Sequence, residues 1–283
     1  EGITTEMYRV SKVLNNNGVI AIDMDENKEY VILGKGVGFG KKVSQRFDKP
    51  EGCTTYRLEQ ETERGSAKEL VKGIEPEYLE IADAILTESQ KVFGDSIDRG
   101  ILFPLADHIS FAVARIRRNE QISNPLTEDI KVLFYSEFKV AETLKTILRE
   151  RLQIEIDDHE VGYVALHIHS AIGDEKVSVA MQTARAVREC IDMIEKATGK
   201  PIDVLSLSYN RLMNHMKYMV ARASTGEKLN LDMNEYMLDQ YPQAYKVATD
   251  ICKNLEGCIG HKLDETETGY LAMHIQRVYK DAV

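Results

Sequence analysis

DDHEVGYVALHIHSA, residues 157–171, returns 107 positions later as DETETGYLAMHIQRV, residues 264–278. The copies share an acidic opening, Glu160/Glu267, Gly162/Gly269, Tyr163/Tyr270, Ala165/Ala272, His167/His274 and Ile168/Ile275. The same offset relates DHISFAVAR (107–115) to NHMKYMVAR (214–222), matching His108 to His215, and FKVAETL (138–144) to YKVATDI (245–251). A constant offset over three separate segments means a duplicated unit with no net insertion. Each copy carries one histidine in an early segment and one in a late segment.

Two such copies leave about 60 residues at the N-terminal end for a smaller domain. YRVSKVL (8–14), VIAI (19–22) and Tyr30–Leu33 are β-branched runs separated by the turn signals Asn15–Gly18 and Asp23–Lys28. The head therefore reads as a small antiparallel all-β module over 7–60. A module of this size buries little core, so partnering through a dimer interface is expected. Glu61–Lys68 is polar and reads as a linker. Beyond it the apolar period becomes helical, with Pro76 suited to a first turn and breaks at Gly94, Gly100, Asn124-Pro125, Gly173, Gly199–Pro201 and Gly226. The fold class expected is a multidomain chain, all-β then all-α, with homologous helical bundles over 69–172 and 173–283.

The net charge of −10 argues against nucleic-acid binding by the chain as a whole. The charge is unevenly spread, because residues 7–49 hold eight Lys/Arg against five acids. A locally basic head keeps nucleic acid open as its partner. Cys53, Cys190, Cys252 and Cys258 form no C-x-x-C pair and read as free thiols. No apolar run reaches the roughly 18–20 residues of a membrane span, and no signal peptide precedes Met7, so a cytoplasmic protein without membrane insertion is expected.

GKGVGFGKK (34–42) lacks the hydroxyl of a P-loop, and its glycines fall at 34, 36, 38 and 40. In an extended strand that spacing puts all four on one face and Lys35, Val37, Phe39 and Lys41 on the other. Two readings stand level. An aromatic between lysines suits RNA, stacking on a base while the lysines meet phosphates; a Gly-rich strand with Phe39 in the core suits a bulge or a tight dimer contact.

A single histidine in a helical domain is more often structural than functional. His108, His167, His215 and His274 rise above that expectation because they recur at matched positions, whereas His159 and His261 have no matching histidine. His167 and His169 point to nearly opposite sides of a helix, and Gln276 stands where the second would recur, so no metal or other cofactor is expected. No nucleophile–base pattern or carboxylate dyad accompanies the four, and the chain reads as a non-enzyme. Phosphorylation remains: a neutral imidazole accepts phosphate and gains about two negative charges.

The motifs KVLNNNGVI (12–20), GKGVGFGKK, DHISFAVAR, GYVALHIHSA (162–171), NHMKYMVAR and GYLAMHIQRV (269–278), in that order, resemble those of the BglG-type transcriptional antiterminators. The resemblance covers the chain from Met7, and its wording is nearest the glucose-type members. It implies a dimeric co-antiterminator domain that grips an RNA hairpin in the leader of a sugar-utilisation transcript and prevents terminator formation, followed by two PTS regulation domains. By position it implies RNA contacts at Lys12, Asn15, Asn17, Gly34, Lys35, Gly36 and Phe39. It implies that His108 and His167 receive inhibitory phosphate from a sugar-specific enzyme II, and that His215 and His274 receive phosphate from the phosphocarrier HPr, which in many members activates. The alternative is a PTS-responsive protein-binding sensor, or a DNA-binding activator built on the same regulatory domains.

Overall fold

The computed structural model describes residues 6–59, 61–62, 65–120, 122–173, 176–203 and 206–281. Five antiparallel strands form the head: β1 (Met7–Asn15), β2 (Gly18–Asp23), β3 (Glu29–Leu33), β4 (Arg46–Asp48) and β5 (Thr54–Arg57), in the order β4-β1-β2-β3-β5. Along β1 the alternation puts Tyr8 and Val10 inside and Met7 and Arg9 outside. Val19, Ala21, Ile32, Val37 and Phe47 join them in the core. The β2–β3 turn is held by Asp23, whose Oδ1 accepts from the backbone amides of Asp25 and Glu26.

The glycine stretch is not the strand that its period suggests. Residues 35–40 are consecutive turns, closed by hydrogen bonds from Val37 N to Gly34 O (3.1 Å) and from Phe39 N to Gly36 O (3.1 Å). The four glycines answer two alternating demands. Gly36 and Gly40 have φ of +74° and +68°, as the third position of such turns requires. Gly34 and Gly38 are approached too closely for a side chain: a Cβ on Gly38 would stand 2.0 Å from the Asn15 carbonyl oxygen, and one on Gly34 2.3 Å from Cys53 Sγ. The Gly, Lys and Phe positions therefore do not sort onto two faces. Val37 is buried, whereas Phe39 is 74% exposed, so the placement of Phe39 in the core is also corrected.

The linker reading of Glu61–Lys68 falls in part on residues 63–64, outside the described residues. Glu61–Thr62 pairs with Gly65–Ser66, and α1 (Ala67–Gly73) begins at once. The remaining helices are α2 (Pro76–Phe93), α3 (Leu102–Arg117), α4 (Thr127–Leu133), α5 (Tyr135–Ala141), α6 (Thr143–Leu152), α7 (Asp158–Gly173), α8 (Val177–Thr198), α9 (Leu207–Thr225), α10 (Asn234–Gln240), α11 (Pro242–Ile259) and α12 (Glu267–Asp281). The repeat is structural as well as sequential: α3, α4 and α7 correspond to α9, α10 and α12, and α11 spans in one helix what α5 and α6 share. The predicted breaks hold at Gly94, which caps α2, and at Gly226, which caps α9 in the left-handed region.

The chain forms two compact units, Glu1–Asn124 with Ser136–Lys176, and Pro125–Tyr135 with Val177–Val283. The segment holding α4 thus belongs with the second repeat, where Asp129 accepts a hydrogen bond from the buried Tyr209 hydroxyl (3.3 Å). Within the first unit the head is tied to α2: the Tyr56 hydroxyl on β5 bonds Asp83, and Arg99 Nη2 donates to both, at 2.8 Å each.

Gly38→Ala should cost the head more than about 2 kcal/mol, because the clash is with backbone that cannot retreat. Gly52→Ala, where only a positive φ is at stake, should cost nearer 1 kcal/mol. Urea unfolding of the two variants, followed by tyrosine fluorescence, checks the order.

Candidate histidine switch and nucleic-acid interface

The repeated motif becomes a repeated cluster. On α7, Glu160, Tyr163 and His167 lie three and seven residues apart and share one face. On α3, His108 and Arg115 are seven residues apart and share another. Packing the two faces brings the His108 and His167 ring centroids to 5.3 Å and sets Tyr163 5.7 Å from His108. The Glu160 carboxylate sits 3.4 Å from His108 Nε2 and takes a 2.8 Å hydrogen bond from Arg115 Nη2.

The second repeat builds the same group from α9 and α12. His215 and His274 stack at 4.7 Å with an interplanar angle of 27°, and Tyr270 lies parallel to His215 at 6.3 Å. Arg222 grips Glu267 with two bonds, Nε to Oε1 at 2.6 Å and Nη2 to Oε2 at 3.0 Å, and Glu267 Oε2 is 3.7 Å from His215 Nε2. All four matched histidines are thus brought together in pairs, one pair per repeat.

Each cluster holds a buried carboxylate at the edge of an imidazole without a formed bond between them. His108 Nε2, Glu160 Oε2 and His215 Nε2 are enclosed and lack a hydrogen-bond partner among the described residues. Burial opposes ionisation of Glu160, but His108 and Arg115 outweigh it and hold the carboxyl below its ordinary value. His215 is pushed down to about 3, by burial first and then by His274 and Arg222. His274 falls to about 4, by burial and then by Arg277 and Arg211. Both rings are therefore neutral at physiological pH, the form that carries a nucleophilic lone pair.

The other histidines stand apart from these pairs. His169 turns its Nδ1 to Glu137 (2.9 Å), while His167 faces His108, as the opposed directions along a helix require. His159 meets the Asn124 backbone. Sequence reasoning missed the roles of Glu160/Glu267 and Arg115/Arg222. Their identity in both copies was the available signal; only the packing of two helices shows what they touch.

In the head, the asparagine turn and the glycine loop form one surface. Asn15 Oδ1 accepts from Asn17 N (2.9 Å), Asn17 Oδ1 accepts from Gly36 N (2.9 Å), and Gly34 N and Gly38 N donate to the carbonyls of Asn17 and Asn16. Asn15, Asn17, Gly34, Lys35 and Gly36 are therefore neighbours, and Lys35 and Phe39 extend from the loop into solvent. Lys12 is exposed on β1, one short step before this turn. The two asparagine side-chain amides meet a third group: Asn15 Nδ2 and Asn17 Nδ2 donate to Glu80 Oε1 and Oε2 on α2, at 2.7 and 3.2 Å.

With that geometry in place, the likeness to known proteins is informative. The CAT RNA binding domain matches residues 8–65, and the PRD domain matches twice, at 83–171 and 188–278. The GlcA/glcB genes antiterminator of Staphylococcus carnosus is 30% identical over 274 residues, 95% of this chain and 94% of that protein. The transcription antiterminator LicT of Bacillus subtilis is 27% identical over 278 residues, 97% of this chain and all of that protein. Among solved structures, the crystal structure of GlcT CAT-PRDI is 29% identical with a TM-score of 0.51, covering 59% of this chain and 99% of that one.

The neutral rings make the second unit acid-sensitive in a distinctive window. Protons bind the unfolded chain first, so the stability due to neutral His215 and His274 is full above pH 6.5 and is lost as pH falls toward 3. At pH 5, still above both folded-state values, the loss should be on the order of 2 kcal/mol for each of the two rings. Urea midpoints between pH 7 and pH 5 should fall in the wild type and fall much less in His215→Gln/His274→Gln.

Proposed function

Because this chain belongs to the family that joins a CAT RNA binding domain to two PRD domains, we propose that it is a transcription antiterminator regulated by PTS-dependent phosphorylation of histidine. It is a regulator rather than an enzyme. The division of labour follows 7–60 for RNA, 69–172 for the first regulatory domain and 173–283 for the second. The head grips an imperfect RNA hairpin in the leader of a sugar-utilisation transcript in the cytoplasm, and prevents the terminator from forming. The observation that carries this reading is the single surface made by Asn15, Asn17, Gly34, Lys35 and Gly36, with Lys12 and Phe39 flanking it. It supplies amide donors, a cation and a 74% exposed aromatic ring in one place.

Regulation acts through the histidine pairs. His108 and His167 take phosphate from a sugar-specific enzyme II and repress; His215 and His274 take it from HPr. The wording of the motifs and the relatives of the glucose type favour a glucose-class inducer. The working form is a homodimer. Phe111 and Tyr218 support it: matched positions on α3 and α9, each three residues beyond a cluster histidine, carry aromatic rings 56% and 60% exposed. A dianion added to His108 lies beside the buried Glu160 carboxylate, and one added to His167 lies against the His108 ring that faces it; like charges ~4 Å apart cost about 4 kcal/mol at an effective dielectric near 20. A change of ~1.4 kcal/mol already moves a dimer equilibrium tenfold.

A reporter behind a terminator-bearing leader tests the reading. Phe39→Ala and Asn17→Ala should abolish readthrough and, in vitro, hairpin binding. His108→Asp or His167→Asp should mimic repression, and His108→Ala with His167→Ala should make readthrough independent of sugar. Full sugar dependence in the alanine variants would return these histidines to a purely structural role.

A further inference from the structure

Glu80 holds the two asparagine amides of the RNA surface. Its carboxylate oxygens accept one hydrogen bond each, from Asn15 Nδ2 at 2.7 Å and Asn17 Nδ2 at 3.2 Å. Such bonds to an ionised acceptor are among the stronger ones in proteins. The side-chain oxygens of both asparagines are already committed inside the head: Asn15 Oδ1 to Asn17 N, and Asn17 Oδ1 to Gly36 N. The Nδ2 groups are thus what Asn15 and Asn17 have left to offer a ligand, and each already gives one of its two N–H donors to Glu80.

The contact is built rather than incidental. Glu80 and Asp83 are neighbours on one face of α2, and Asp83 is fastened to the head through the Tyr56 hydroxyl and through Arg99. Thr87, one turn further along the same face, accepts from Arg99 Nη2 at 3.3 Å. This polar ladder sets α2 against the strand sheet and delivers Glu80 to the asparagine turn. Glu80 also has a second partner, Arg151 on α6, with Nη1 3.7 Å away. If the asparagines leave, the carboxylate is not stranded.

We propose that Glu80 is an intramolecular competitor of RNA. In this conformation α2 of the first regulatory domain occupies the reading amides with a carboxylate, and RNA binding requires Glu80 to withdraw toward Arg151. A carboxylate at this position also repels any phosphate brought to Lys35 or to the backbone amides of the loop. The head and the first regulatory domain thereby share one contact, through which a shift of α2 or α6 reaches the RNA surface directly. The inference rests on the RNA-binding reading of the head.

The test uses the full-length chain and a fluorescent imperfect RNA hairpin, enriched from a pool with randomised loops, titrated at fixed salt. Glu80→Ala should bind roughly tenfold tighter than the wild type, with Glu80→Gln in between, since its amide retains one acceptor oxygen but no charge. Glu80→Ala/Phe39→Ala should lose the binding again. Melting temperatures and circular dichroism of each variant confirm that the fold persists; Glu80→Gln, which preserves shape, stands in should the alanine variant unfold. Affinity of both Glu80 variants equal to or weaker than the wild type, with Phe39→Ala still abolishing binding, would overturn the competitor and leave the RNA reading standing. No hairpin recovered by any of these chains would overturn both.

Discussion

A buried carboxylate on an arginine organises each regulatory repeat. Glu160 and Glu267 are 3% and 1% exposed, and taking such a group out of water costs several kcal/mol unless a cation meets it with good geometry. Arg115 and Arg222 supply that cation from the neighbouring helix. The pairs therefore fix α7 on α3 and α12 on α9 at one rotation, and the histidines, two turns along the same helices, meet as a consequence. Removing either partner would leave an uncompensated buried charge, so the arrangement tolerates little adjustment. On the proposed reading, a dianion attached to the adjoining imidazole would compete with the glutamate for the arginine.

The two repeats solve the same problem with different margins. In the second, Arg222 meets Glu267 with two bonds and the rings lie nearly parallel; in the first, Arg115 makes one, and the rings are tilted by 46°. The second cluster is the more fully bonded of the two and keeps its rings neutral. The first shares its unit with the head, and its α2 touches the asparagine turn through Glu80.

Much of this was legible in the chain. The offset of 107 marked the repeat, the β-branched runs and asparagine turn marked the head, and helix breaks at Gly94 and Gly226 were read from glycine alone. The glycine loop was misread because two unrelated requirements, positive φ at Gly36 and Gly40 and close approach at Gly34 and Gly38, fall on alternate residues and imitate a strand. That α4 of the first repeat packs with the second was out of reach of periodicity, which carries no long-range information. Glu80 was invisible for the same reason: it is one of many helix-surface glutamates until the fold sets it against Asn15, 65 positions away.

The central claim is that the matched histidine pairs, and not the other histidines of the chain, receive phosphate. Incubation of the full-length protein with phosphorylated HPr, followed by peptide mapping at alkaline pH, where phosphohistidine survives, tests it most directly. The account predicts label on His215 or His274 from HPr, with none on His159, His169 or His261. Label confined to those three, or no transfer at all, would contradict it.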